Sequence, residues 1–356
     1  MTATIDTAAS RPTGAKSRRA VITRLGASDV IALVTAERPT PSRGEVLLRV
    51  EAAGVAFADV LMRRGIYPGG PRPPFTPGYD LVGAVEEVGV GVSGVDLGGR
   101  YAALTGHGAC AEFALVAADR LVPVPKSVDA ADGVALVLNY VTAYQLLRRV
   151  AGLGPESRGA RVLVYGAAGG VGTAVLELAR AWGITVYGTA SAAKHSLVAR
   201  LGGIPIDYRH EDVAARVLAD GGPVDAVLDP VAGRGLLASH RLVRRGGTLA
   251  VFGFGAALAG GKIDRAQQLA TFALFGLLAV FPRGRRIVFY SVQDWQRRRP
   301  DLFREDLVAL FAMLAAGEVH PVIAARLPLA ETARAHDLLE RSAVTGKLVI
   351  MPGLAD

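Results

Sequence analysis

One cysteine, Cys110, is all the thiol chemistry that this 356-residue sequence holds. A disulfide scaffold and a cysteine-cluster zinc site are both excluded, since each needs several thiols held together. Aromatic residues are scarce, at 6%. The two arginine clusters, Arg283–Arg286 and Arg297–Arg299, carry no interleaved aromatics, which argues against a base-stacking platform for single-stranded nucleic acid. No apolar run approaches the ~20 residues that a helix needs to cross a bilayer. The most apolar, Leu269–Phe281, has 13 residues and reads as a buried or interface helix, with a surface anchor as the lesser alternative. The first 19 residues are rich in Thr, Ala and Ser and lack the apolar core of a secretory signal. They are expected to form a disordered tail. The reading is cytoplasmic, with neither membrane nor nucleic acid as partner.

Apolar residues make up 51% of the chain, and 43 positions are glycine. The length allows two domains of about 100–200 residues each, and the composition excludes disorder as the overall state. Forty Lys and Arg against 32 Asp and Glu leave a net charge of +8. Such a balance favours anionic partners, a phosphorylated cofactor among them, although scattered basic residues also suit a solvated surface.

Two textures divide the chain. From Ala20 to about Asp119, short strands such as Glu45–Val50 and Leu81–Val88 alternate with turns. From Asp129 to about Val150 the pattern is helical. Strand, glycine turn and helix then recur, with strands at Arg161–Tyr165, Ile184–Tyr187, Ile204–Ile206, Val224–Leu228, Gly247–Phe252 and Arg286–Tyr290. Short apolar strands with intervening helices predict an α/β fold with a doubly wound parallel sheet. An amphipathic helix, Leu302–Leu314, and strands at Val322–Arg326 and Lys347–Ile350 close the chain.

The first of these strands runs into Gly166, Ala167, Ala168, Gly169, Gly170, Val171 and Gly172, followed by a helix from Thr173 to Trp182. Ala167, Gly169 and Gly172 occupy the three spacings of a dinucleotide fingerprint. Glycine there permits a tight turn, backbone approach to a pyrophosphate and close helix packing. An NAD site wants Asp or Glu about 20 residues on, to hold the ribose diol. The second strand instead leads to Ser191, with Lys194 beyond. The missing acid and the available cation point to NADPH.

These residues resemble the medium-chain dehydrogenase/reductase superfamily, in its zinc-independent quinone oxidoreductase and enoyl reductase branch. The match runs from Ala20 to Pro352 and includes Gly54–Asp59, Arg64–Pro68, Pro77–Asp80, Val164–Gly172, Gly188–Ser191 with Lys194, and Thr345–Lys347. The stretch from Arg286 through Leu307 is similar to quinone oxidoreductases related to the vesicle amine transport protein. The resemblance implies a GroES-like β-rich catalytic domain (20–139, completed by 293–356) and a Rossmann cofactor domain (140–292). It implies pyrophosphate contacts from Gly169, Gly170, Val171 and Gly172, with Ser191, Lys194 and Tyr208 around the 2′-phosphate. Asn139 and Thr142 are expected at the nicotinamide end, and Ala168, Phe252 and Lys347 are added to the cofactor contacts. Zinc members carry a Gly-His-Glu segment where this chain resembles it only as Gly78, Tyr79 and Asp80, so no metal is expected.

Without metal, the chemistry rests on hydride transfer from the nicotinamide and a polar group near the accepting atom. The resemblance nominates Tyr67 as proton donor, alongside a packing role, and Asp59 as a second candidate that could equally bond turn amides. The branch usually has Asn where this chain has Ala56. Three readings therefore stand: an NADPH-dependent reductase of quinones or activated double bonds, an NADPH-binding structural or regulatory protein with little turnover, and a biosynthetic reductase of an unusual substrate. A homodimer joined through Arg286–Tyr290 completes the expectations.

Overall fold

The computed structural model describes residues 14–253, 265–280 and 283–355. Its β-rich part is centred on Glu45–Val55, an eleven-residue strand that is buried along most of its length. That strand pairs antiparallel with Asp80–Val88, Phe113–Ala117 and Lys347–Ile350. The sheet continues from Asp80–Val88 through Arg100–Leu104 to Val122–Pro123, and from Lys347–Ile350 to Ile323–Leu327. The C-terminal strands thus complete the N-terminal sheet. A separate antiparallel ribbon joins Lys16–Ile22 to Ile31–Glu37. The expected tail is therefore too long: Lys16–Arg19 are strand, paired with Val34–Glu37, and residues 1–13 lie outside the described part.

The second sheet has six strands, all pairings parallel. Its spatial order is Ile204–Asp207, Thr185–Ala190, Arg161–Val164, Val224–Asp229, Val243–Val251, Arg286–Phe289. In chain order that is third, second, first, fourth, fifth, sixth, the doubly wound arrangement. The order reverses beside Arg161–Val164, so the loop following that strand opens into the crevice where such sheets bind ligands.

Between the sheets runs a helical stretch, Ala130–Ala151, that passes through position 139 without a break. Asp129 caps it by accepting from the amides of Ala131 and Asp132, and Gly152, at φ +71°, ends it. Two segments within it, Leu136–Tyr140 and Gln145–Ala151, have the wider π turn, a local distortion frequent at functional sites. One apolar core crosses the whole assembly, from Ala52 and Val82 through Tyr140 and Leu146 to Val164 and Val175.

The apolar stretch near 270 is not the buried helix that was one of its expected forms. It forms part of a helix, Arg265–Val280, but Leu269, Phe272, Leu277 and Val280 are 75%, 53%, 56% and 70% exposed. Only Leu278 is buried to 3%. This is a surface helix with an apolar face, not a core one; Phe281 lies outside the described residues. No helix among them is long and apolar enough to cross a membrane.

Candidate active site

The turn after Arg161–Val164 begins at Gly166, whose φ of +70° is left-handed backbone that suits glycine. Thr189 holds it from the neighbouring strand. Its Oγ1 accepts from the Gly166 amide at 3.1 Å and its carbonyl from the Ala167 amide at 3.0 Å. The helix Gly170–Trp182 then starts hard against this turn. A β-carbon at Gly172 would lie 2.4 Å from the Gly166 carbonyl oxygen. One at Gly170 would lie 2.3 Å from Asn139 Nδ2, so Asn139, itself 7% exposed, seats directly on the loop. Around Gly169 the nearest atom to such a carbon is the Gly166 oxygen at 3.4 Å, leaving that side open. An open glycine face at the first turn of a thirteen-residue helix is a cradle that fits a pyrophosphate, because the first-turn amides lack intrahelical acceptors.

The C-terminal segment clasps this loop. Gly346 donates its amide to the Ala168 carbonyl at 3.0 Å, and its φ of +76° brings it close under Val322. Lys347, expected at the cofactor, has another partner. Its Nζ lies 2.9 Å from both Asp80 oxygens, with the two side chains 2% and 0% exposed. Asp80 also accepts from the Leu138 amide. Gly54 makes room for the pair, since a β-carbon there would meet Asp80 Oδ1 at 2.0 Å and Lys347 Nζ at 2.4 Å. Lys347 is thus a buried strut joining the catalytic sheet to the interdomain helix.

At the other end of the crevice Lys194 donates to the Ser342 and Val344 carbonyls at 2.8 and 3.0 Å. Burial and the nearby Arg209 lower its pKa. Ser191 gives the chain its turn there without capping it by its side chain. Tyr208 is 52% exposed, with the Arg209 guanidinium 5.7 Å from its ring centroid. Arg209 was not singled out from the sequence, although it directly follows Tyr208. Phe252 is half-buried beyond its strand and donates its amide to the Asp229 carbonyl at 3.1 Å. Asp229, also missed, orders that strand end by accepting from the Val231 and Ala232 amides, each at 2.8 Å. Thr142 is buried beside the Tyr290 hydroxyl, which donates to Gln145 Oε1 at 2.7 Å.

Tyr67 stands on the catalytic-domain side. Its hydroxyl is 2.9 Å from the Tyr79 hydroxyl, and it donates to Gln293 Oε1 at 3.4 Å. The two rings meet edge to face, with centroids 6.4 Å apart. Burial pushes the Tyr67 pKa upward, so the phenol keeps its proton at neutral pH. Neither Tyr79 nor Gln293 was nominated from the sequence. Of the two places expected of it, Asp59 takes the one that bonds turn amides rather than the catalytic one. Fully buried, it accepts from the Ala56 amide at 2.8 Å and the Gly78 amide at 2.9 Å. Burial outweighs those amides and raises its pKa to about 7. It positions the turn that carries Tyr79 and reaches no open space.

The segment Gly78–Asp80 has its polar groups committed, Tyr79 to Tyr67 and Asp80 to Lys347. His107 packs edge-on against Phe75, and burial lowers its pKa. Among the described residues no group of three or more His, Cys, Asp or Glu is placed to hold a metal.

Comparison with known proteins agrees with this geometry. Residues 42–126 match the alcohol dehydrogenase GroES-like domain, and residues 203–350 match the zinc-binding dehydrogenase domain. The chain is 32% identical to a synaptic vesicle membrane protein VAT-1 homolog of Danio rerio, over 94% of this chain and 69% of that protein. It is 30% identical to the quinone oxidoreductase of Rattus norvegicus, over 95% of this chain and 99% of the relative. The solved quinone oxidoreductase of Escherichia coli, complexed with NADPH, superposes with a TM-score of 0.81 at 26% identity, covering 94% of this chain and 100% of that one. With a GroES-like sheet, a doubly wound cofactor sheet and relatives of this kind, the chain belongs to the medium-chain dehydrogenase/reductase superfamily, among the quinone oxidoreductases and VAT-1 homologues.

Proposed function

We propose that this protein is an NADPH-dependent reductase of quinones or of double bonds conjugated to a carbonyl, working without a metal. The observation that carries the reading is the Tyr67 hydroxyl, held between Tyr79 and Gln293 on the catalytic side of the cleft. Asp80 and Lys347 tie that corner to the Gly346 contact with the glycine loop.

When bound, NADPH supplies a hydride; the protein's share is to hold, orient and protonate. The amides from Gly169 to Gly172 would receive the pyrophosphate, with Asn139 keeping Gly170 in register. Ser191, Lys194, Tyr208 and Arg209 surround the place for the 2′-phosphate. Tyr67 Oη holds the proton that completes reduction of the acceptor, and a raised phenol pKa keeps it available at neutral pH. Water then restores it.

Oxidation of NADPH followed at 340 nm, with a panel of quinones, enones and enoyl thioesters, tests the proposal. Turnover with at least one class is expected, undiminished by a chelator. Ala56 favours a second reading, that of an NADPH-binding protein with little turnover, because a buried methyl group replaces an amide at the start of the helix Phe57–Arg63. Tight NADPH binding without turnover across the panel would select it. Affinity should favour NADPH over NADH by about tenfold or more, as expected of a charge-assisted bond to the 2′-phosphate.

For assembly we propose a homodimer through Arg286–Phe289. That strand closes one end of the parallel sheet and pairs only with Val243–Val251 among the described residues. An unpaired strand edge is a template for self-association. Light scattering giving the monomer mass of 37.0 kDa would reject it.

A further inference from the structure

A cavity of about 420 Å³ lies beside the tyrosine corner, apart from the glycine cradle. Gln293, whose Oε1 accepts from Tyr67, lines it. Thr105 lines it too, and is bonded to the Tyr79 carbonyl through its amide at 3.0 Å and to the Gly78 carbonyl through Oγ1 at 3.0 Å. The cavity wall is therefore continuous with the groups that hold Tyr67 and Tyr79.

Its far side is cationic. Arg120, Arg297 and Arg304 line it against one carboxylate, that of Asp119. Arg304 is fixed, donating to the Leu121 and Asp119 carbonyls at 2.7 and 3.0 Å. Arg297 is paired with Asp294 on its own helix. Arg120 has neither an ion pair nor a side-chain hydrogen bond among the described residues. Gln296, also in the wall, has an Nε2 withdrawn from solvent with no acceptor among the described residues. A neutral quinone would leave the withdrawn Gln296 amide unmatched and make no use of the exposed Arg120 guanidinium. A carboxylate or phosphate oxygen would match both, because such groups bond most strongly to charged and planar donors.

We infer that the substrate carries an anionic group, seated by Arg120 with Gln296 beside it, and that its reducible atoms lie toward Tyr67. The inference rests on the reductase reading above and narrows it to acceptors with a carboxylate or phosphate arm.

The test uses pairs of acceptors that share one reducible core. One pair is a neutral naphthoquinone and its carboxyalkyl derivative; the other is a short neutral enoyl thioester and the corresponding enoyl-coenzyme A. The anionic member of at least one pair should have a kcat/KM about tenfold or more higher, the size of one bond to a charged group. Which pair shows it distinguishes carboxylate from phosphate. Arg120→Gln should bring that ratio toward one. Equal kcat/KM within both pairs, or an Arg120→Gln variant that slows both members alike, overturns the inference and leaves the reductase reading intact. Absence of turnover with all four compounds would instead sink the reductase reading. Calorimetric titration with the carboxyalkyl naphthoquinone and with coenzyme A then decides the anion site. Binding that Arg120→Gln weakens about tenfold supports it, and binding that is absent or unchanged overturns it.

Discussion

Around Gly166–Gly172 the geometry depends on atoms that are missing. β-Carbons at Gly170 and Gly172 would strike Asn139 and the Gly166 carbonyl. Around Tyr67 it depends on side-chain atoms that meet: two phenols, a glutamine, and behind them a lysine and an aspartate. A site made by omission tolerates no added methyl. A site made by contact fails when one partner is taken away and another is left stranded. Different substitutions should therefore disable the two regions.

The largest effect belongs to the ion pair that links them. Lys347→Met leaves Asp80 buried without its cation and should destabilise the fold by about 3–5 kcal/mol. Thermal or urea denaturation measures it, and an unchanged midpoint would show that the pair holds nothing together. Gly172→Ala breaks the cradle alone. NADPH affinity, read by fluorescence titration, should fall about 100-fold, or roughly 2.8 kcal/mol, whereas retained affinity would mean the helix can move away from the turn. Tyr67→Phe breaks the other region alone. It should lower kcat about 10²-fold, the lower end for a positioned acid, with NADPH affinity unchanged. A variant as active as the parent would remove Tyr67 from the chemistry.

The last test sharpens the contrast through a buried carboxyl of the contact-built region whose pKa is strongly raised. Asp59 titrates near pH 7 in the fold and near 4 in the unfolded chain. The fold therefore binds the extra proton between those values. The stability that Asp59 contributes is full below about pH 4 and is lost as pH rises to about 7. Thermal midpoints of the parent should fall more steeply than those of Asp59→Asn between about pH 4 and about pH 7; parallel profiles would refute the assignment.

Much of the cradle was legible because backbone requirements leave a local signature. Glycine spacing after an apolar strand and before a helix marked Gly169–Gly172, and alternation of strand and helix marked all six strands of the parallel sheet. The tyrosine corner was legible in only one of its three members. Gln293 meets Tyr67 across 226 positions and Lys347 meets Asp80 across 267, and no local pattern announces a partner at that separation. The place of Lys194 after the second strand is legible in the same local way, whereas its carbonyl partners, 148 and 150 residues downstream, are not. The apolar run near 270 left its alternatives open for a related reason. Hydrophobicity marks a surface as in need of cover without saying that the same chain provides it.

The clasp formed by residues 342–347 bears on how this molecule can be recombined. Those residues lead into Lys347–Ile350, a strand of the catalytic sheet, yet they donate to Ala168 and receive the Lys194 ammonium on the cofactor domain. A graft that exchanges the Rossmann unit alone would cut every one of these bonds. The unit of exchange is the nucleotide-binding sheet together with the turn before the final strand, and a chimera designed without that turn inherits a cofactor loop with nothing to close against.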